Sequence, residues 1–227
     1  MRADQLQQHI FSTYISLRYG MAVIAVLLPA VVWGVGLLNG IALQGSLSAY
    51  YWAAESCPGE APSRAWLVGG LFAISSFLYL YKGFTMKENV ALNLAAVFGI
   101  GVAVIPMAWD CGPVKQSFSL HGTSAVLMFA CLVYVVCFRA RDTLRFLGEE
   151  DRRRYRRKYL GIGVVMAASP LSALAANVLL GTEKTYTFFI EAAGVWAFAY
   201  YWWVKSAELE KSGAVRKALQ GELQTGA

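Results

Sequence analysis

GMAVIAVLLPAVVWGVGLL, residues 20–38, is the stretch that decides the fold. It carries no charged side chain and is long enough to cross the roughly 30 Å hydrocarbon core of a bilayer as a helix. Pro29 lies inside it, which membrane helices tolerate and which predicts a kink. Five comparable apolar runs follow, at residues 66–81, 90–107, 120–138, 159–180 and 186–204. The 227-residue chain is 57% apolar and 15% charged. A soluble domain has about 45–50% apolar and about 25% charged residues. A β-barrel would need alternating segments of roughly ten residues, and none is visible. The expected fold is all-α: a polytopic membrane six-helix bundle.

Outward from the first run, residues 1–19 place Leu6, Ile10, Phe11, Tyr14 and Leu17 at helical spacing between polar side chains. They read as an amphipathic segment at the cytoplasmic membrane surface. They have no apolar core of the kind a cleavable signal peptide carries, so the first span is expected to act as an uncleaved signal anchor. Residues 20–206 then form the six spans. Residues 207–227 form a polar cytoplasmic tail.

The formal charge of +6 would suit a nucleic-acid partner, but the charges sit at the ends of apolar runs. Of the 20 lysines and arginines, all but Arg64, Lys115 and Lys184 fall on the side of the even-numbered connections and the termini. That bias puts both termini in the cytoplasm and supports an even number of spans. The expected location is a bacterial cytoplasmic (inner) membrane, multi-pass, with membrane lipids as partners and no nucleic acid. The densest basic run, Arg152-Arg153-Arg154-Tyr155-Arg156-Arg157-Lys158, either fixes orientation alone or also meets anionic headgroups. Glu149, Glu150 and Asp151 before it favour a helix start, so the run is expected to extend the fifth span into the cytoplasm. Ala168, Ser172 and Ala176 form a small-residue stripe suited to close helix packing. Tyr200, Tyr201, Trp202, Trp203 and Lys205 read as an interfacial belt closing the last span.

Between the first two spans lies Gln44-Gly45-Ser46-Leu47-Ser48-Ala49-Tyr50-Tyr51-Trp52. It is too aromatic for a solvated linker and too polar to cross the bilayer. It is either an aromatic anchor or a re-entrant lid at the external boundary. On the same side lie Asp110, His121 and Glu191, the last about 7 Å below the outer end of its span at helical rise. An ionisable residue within a span is by default a functional candidate. Ser46, Ser48, Tyr50, Tyr51, Asp110, His121 and Glu191 are therefore the candidate ligand-binding set. His121, Asp110, Glu191 and Ser48 are the candidate catalytic residues. The alternative is that these groups bond one another and water and merely hold the outer helix ends together.

The two histidines, His9 and His121, fall on opposite sides. Bis-histidine haem and three-histidine zinc sites are thereby excluded within one subunit. No phosphate-binding glycine loop or nucleophile elbow occurs. No cofactor and no metal is expected. Cys57 and Cys111 lie on external loops flanking one helical hairpin and are placed to form a disulfide in an oxidising compartment. Cys131 and Cys137 lie within the fourth span and read as packing residues.

The segments LQGSLSAYYW (43–52), LYLYKGF (78–84), ENVALNLA (88–95), VAVIPM (102–107), LHG (120–122) and EAAGVWAFAYYWWVKSAEL (191–209) resemble those of a group of bacterial six-span membrane proteins. The wider group is similar to the DRAM-like proteins, and the resemblance implies a six-helix bundle without an assigned reaction. A more distant likeness is to the alkaline ceramidases and adiponectin receptors, which combine Ser, Asp and three His around zinc in seven spans. This chain lacks those histidines and a seventh span, so their metal set does not carry over. Three functions are compatible with the sequence. The first is binding or sensing of a lipid or other apolar ligand in an outer-leaflet pocket. The second is intramembrane hydrolysis of a lipid. The third is a structural role in an oligomer or membrane complex.

Overall fold

The computed structural model describes residues 3–55, 59–107, 119–180 and 185–219, and among these every regular element is helical. The six long helices are α1 (Ala3–Leu38), α2 (Arg64–Leu80), α3 (Met86–Val104), α4 (Leu120–Tyr134), α5 (Glu149–Leu180) and α6 (Tyr186–Ser212). A six-residue α7 (Ala214–Leu219) follows. Among the described residues, three segments are long and apolar enough to cross a membrane: Gln8–Leu38, Met86–Val104 and Leu120–Phe146. Arg64–Leu80 is apolar but shorter.

Local chemistry sets the helix ends. The Thr85 hydroxyl accepts from Glu88 N at 3.2 Å while the Glu88 carboxylate accepts from Phe84 N at 2.8 Å, a reciprocal arrangement akin to a capping box. Ser119 caps α4 by accepting from Gly122 N at 3.1 Å. α4 finishes in a π turn, Val135–Arg139. α5 opens on Glu149, Glu150 and Asp151, where carboxylates favour the positive end of the helix dipole. Gly213 ends α6 at φ 62°, a left-handed conformation that glycine adopts without a Cβ clash.

Each helix packs on its neighbours in sequence, and α6 returns to α1, which closes the ring. The core runs through it: Met21, Leu28, Leu67, Leu92, Met166 and Phe198 are all buried. Small residues set the closest approaches. Gly99 admits Ser75, Gly194 admits Ser169, and Gly163 admits Cys137. The stripe expected to pack tightly on the fifth span does not do so within the chain, since Ala168 and Ser172 are exposed. The inward face of α5 is instead Tyr159, Ile162, Met166 and Ser169.

Other expectations change in detail. α1 passes without a break from residue 3 through the first apolar run, so residues 3–19 are its first turns rather than a separate helix. The chain beyond residue 207 is partly packed: Leu209, Ala214 and Val215 bury against Phe11, Phe84 and Phe146. The aromatic belt splits by helical face, with Tyr200 and Trp203 outside and Tyr201, Trp202 and Lys205 at 1% exposure inside. Consecutive residues on a helix are about 100° apart, so a four-residue aromatic run cannot all face one environment. Asp110, Cys57 and Cys111 lie outside the described residues. Cys131 and Cys137 are free thiols, half-buried.

Candidate functional site

Residues 41–55 lie across the end of the ring opposite to the starts of α1 and α7. The turn begins at Gly40, φ 72°, beyond which Ile41 N donates back to Gly36 O at 3.0 Å. A single 3-10 turn, Ser48–Tyr51, sits at the centre of the crossing. Tyr50 is completely buried, with its ring against Gly36 and edge-on to Phe188 at 6.0 Å. A Cβ at position 36 would stand 2.8 Å from that ring. Of the two readings of residues 44–52, the packing is that of a lid.

The lid is tied to four helices. Phe188 N donates to Gly45 O at 3.1 Å, and Glu191 Oε2 accepts from Leu47 N at 2.7 Å, both from the first turns of α6. Trp52 Nε1 donates to Met107 O at 2.9 Å, just beyond α3. Arg64, opening α2, donates to Tyr51 O at 2.6 Å and lies over the Tyr51 and Trp52 rings at 4.9 and 5.1 Å. Ser63 adds a bond from its hydroxyl to Val32 O at 2.8 Å, deep in α1.

From α4, His121 reaches the lid directly, with Nε2 3.0 Å from Ser48 Oγ. Its Nδ1 lies 2.7 Å from Ile105 O. A carbonyl can only accept, so Nδ1 carries a hydrogen, and in the neutral ring Nε2 then accepts from the Ser48 hydroxyl. A hydroxyl paired with an imidazole whose other nitrogen is held in place is the minimal arrangement of a serine nucleophile and its base. The orienting position belongs to the Ile105 carbonyl. Asp110, the third member of a Ser48–His121–Asp110 set, lies outside the described residues.

The candidate residues thus divide by role. Ser48, His121 and Glu191 come together, with His121 and Glu191 linked through the adjacent lid residues Ser48 and Leu47. Ser46 turns inward on the lid itself, its hydroxyl accepting from Ala49 N at 3.1 Å. Tyr50 is a packing residue whose hydroxyl accepts from Gln44 N at 3.4 Å. Tyr51 forms the rim beneath Arg64. Among the described residues, no group of three or more His, Cys, Asp and Glu is placed to hold a metal.

A second polar cluster lies at the other end of the ring, and the sequence reading missed it. Lys205 and Glu208 are 1% and 0% exposed and pair at 2.7 Å. Lys205 Nζ also donates to Thr143 Oγ1 at 2.6 Å and Ala140 O at 3.1 Å. Glu208 Oε2 further accepts from Thr143 at 3.0 Å and Tyr159 OH at 3.2 Å. Nearby, Arg18 is 2% exposed and donates from Nε to Ser206 Oγ at 3.1 Å. Among the described residues, the buried Arg18 Nη1, Tyr201 OH and Trp202 Nε1 have no hydrogen-bond partner. The signal that could have revealed this cluster was the i, i+3 spacing of Lys205 and Glu208.

Comparison with family models, with curated proteins and with solved structures finds no match to this chain.

Proposed function

We propose that the chain is a six-span integral membrane protein of the bacterial inner membrane, a six-helix bundle with both termini cytoplasmic. In this reading it binds or senses a lipid or other apolar ligand at its outer end, under the lid of residues 44–52. The membrane reading is supported by the outward faces of the helices. Val26, Phe72, Val97, Val126 and Val164 are all exposed, each near the middle of its helix. Apolar side chains so distributed around a protein suit a hydrocarbon solvent. The distribution of basic residues supports the orientation.

One observation carries the ligand reading. Glu191 from α6 and His121 from α4 grip consecutive residues of one external segment, and α5 lies between those two helices in the ring. A roof held by two ionisable side chains from separated helices can open by exchanging those bonds for a ligand's polar head. The apolar core beneath it would receive a chain.

Native mass spectrometry of the purified protein tests this reading. A co-purified amphiphile lost from the His121→Ala/Glu191→Gln variant is the expected result. Its equal retention in that variant, or its absence from the unaltered protein, refutes the reading.

The 3.0 Å Ser48–His121 contact favours a second reading, lipid hydrolysis through a seryl intermediate. A fluorophosphonate probe should then label Ser48, and labelling should vanish in Ser48→Ala and His121→Ala. A stoichiometric protein partner with no bound amphiphile would instead favour a structural subunit.

A further inference from the structure

The first turns of α5 combine a fixed base with free cations. Arg152 is consumed internally: its guanidinium donates to the carbonyls of Leu144, Arg145 and Leu147 at 3.3 Å each, and to Glu149 at 3.2 Å. Asp151 pairs with Lys211 of α6 at 2.7 Å. These bonds fix the start of α5 against the 3-10 turn Leu144–Phe146 and against α6.

The neighbouring arginines point away. Arg153, Arg154, Arg156 and Arg157 are all exposed. Among the described residues, Arg153 has only a 3.6 Å contact with Glu149, and Arg154, Arg156 and Arg157 have no ion pair. Glu149 and Glu150 share a shallow surface depression with Arg153, Arg154, Arg157 and Lys158, and Glu149 is already engaged by Arg152 and Arg153.

The decisive feature is register. At about 100° per residue, Arg153 and Arg157 lie on the same stripe of α5 as Leu160, Val164 and Leu171, with Arg156 and Arg154 flanking it. Leu160, Val164 and Leu171 are 51%, 58% and 63% exposed. Above the two carboxylates of Glu149 and Glu150, this helix face therefore changes from apolar at Leu160 to basic at Arg157 and Arg153 within a single turn, about 5 Å along the axis. That matches the roughly 5–7 Å headgroup layer between the ester ends of acyl chains and the phosphates above them.

We infer that this face of α5 is a docking surface for the phosphate headgroups of anionic lipids in the leaflet on the side of the termini, with the acyl chains lying along the Leu160–Val164–Leu171 stripe. Guanidinium groups suit this role because their planar fork pairs two phosphate oxygens at once. Because Arg152 and Asp151 hold the helix in place, the surface is formed before lipid arrives. The inference rests on the six-span reading, since only then does the stripe face acyl chains.

The test uses the full-length protein in mild detergent, titrated with equal amounts of phosphatidylglycerol and phosphatidylcholine and observed by native mass spectrometry. Phosphatidylglycerol adducts should dominate. In Arg153→Gln/Arg154→Gln/Arg156→Gln/Arg157→Gln the preference should disappear, at about fivefold for each arginine that engages a headgroup. In Arg139→Gln/Arg141→Gln, which removes charge at the same end but off this stripe, the preference should survive. Equal uptake of both lipids by the unaltered protein, or an intact preference in the fourfold variant, overturns the inference. Should the fourfold variant not fold, raising the salt concentration on the unaltered protein must weaken the preference, and its persistence is equally fatal. Alkaline carbonate extraction of native membranes separates the two levels. A chain released by carbonate defeats the six-span reading itself, whereas a retained chain without phosphatidylglycerol preference defeats only the docking surface.

Discussion

Lys205→Met is the sharpest perturbation of the fold. The substitution keeps an unbranched chain of similar length and removes one charge from a site that is 1% exposed. Glu208 then keeps Thr143 and Tyr159 as donors to Oε2 but loses the ammonium paired with it, while among the described residues Oε1 already has no partner. At 2.7 Å and an effective dielectric near 20, the gross attraction being removed is about 6 kcal/mol. The net loss is smaller because Lys205 no longer needs desolvating. Breaking one side of a buried pair costs about 3–5 kcal/mol in general. For a chain of this size that corresponds to a fall in unfolding midpoint of about 6–20 °C. Glu208→Met should fall similarly, since it strands the ammonium.

The double variant Lys205→Met/Glu208→Met should recover much of the loss. Its remaining cost is the two hydroxyls of Thr143 and Tyr159 left without the carboxylate, about 1 kcal/mol each. Thermal unfolding in a single mild detergent, followed by circular dichroism, measures all three. A double variant as unstable as the sum of the two single variants would refute the assignment of Lys205 and Glu208 as a mutually compensating pair. So would a Lys205→Met midpoint within a degree of the unaltered protein.

Three further outcomes are expected. Glu191→Ala should leave the buried Leu47 N–H without an acceptor, cost about 1–3 kcal/mol, and speed amide exchange across residues 44–52, whereas Glu191→Gln keeps an acceptor and should exchange nearly as slowly as the unaltered chain. Gly36→Ala brings a Cβ to 2.8 Å from the buried Tyr50 ring and should displace the lid at a cost of about 1–3 kcal/mol, seen as faster proteolysis within residues 41–55. Arg152→Gln should release the carbonyls of Leu144, Arg145 and Leu147 and destabilise the α4–α5 connection by about 2 kcal/mol, read as increased exchange at residues 140–150.

The sequence singled out three of the side chains that meet at the lid: Ser48, His121 and Glu191. His121 and Glu191 stood out because an ionisable side chain beside apolar residues is costly, and Ser48 stood out because hydroxyls interrupt an aromatic cluster. Their pairing was not legible. Ser48 and His121 are 73 residues apart, and the bond between them depends on how far the lid folds over the end of the ring. Ser46, two positions from Ser48, looked equivalent to it in sequence and proves to be a turn former, because one turn of 3-10 helix faces its oxygen to Ala49 N. The inner cluster was hidden for the opposite reason. Lys205 follows four aromatics and so resembled an interfacial anchor, and only the rotation of α6 against α1 and α5 turns Lys205, Tyr201 and Trp202 inward together.

By itself the sequence determined the helical class and the start of α5 at its acidic triplet; it offered six apolar runs as spans, and among the described residues three segments are long and apolar enough to cross a membrane. These follow from composition, run length and capping chemistry, which act within a few turns of chain. Tertiary structure alone decided that residues 44–52 form a roof rather than an anchor, that His121 is oriented by a backbone carbonyl, and that a lysine and a glutamate lie sealed at the opposite end. Each of these depends on which face of one helix meets another. Periodicity marks the apolar faces of a soluble helix against water. In a helix that is apolar all round it cannot tell the face that meets protein from the face that meets lipid.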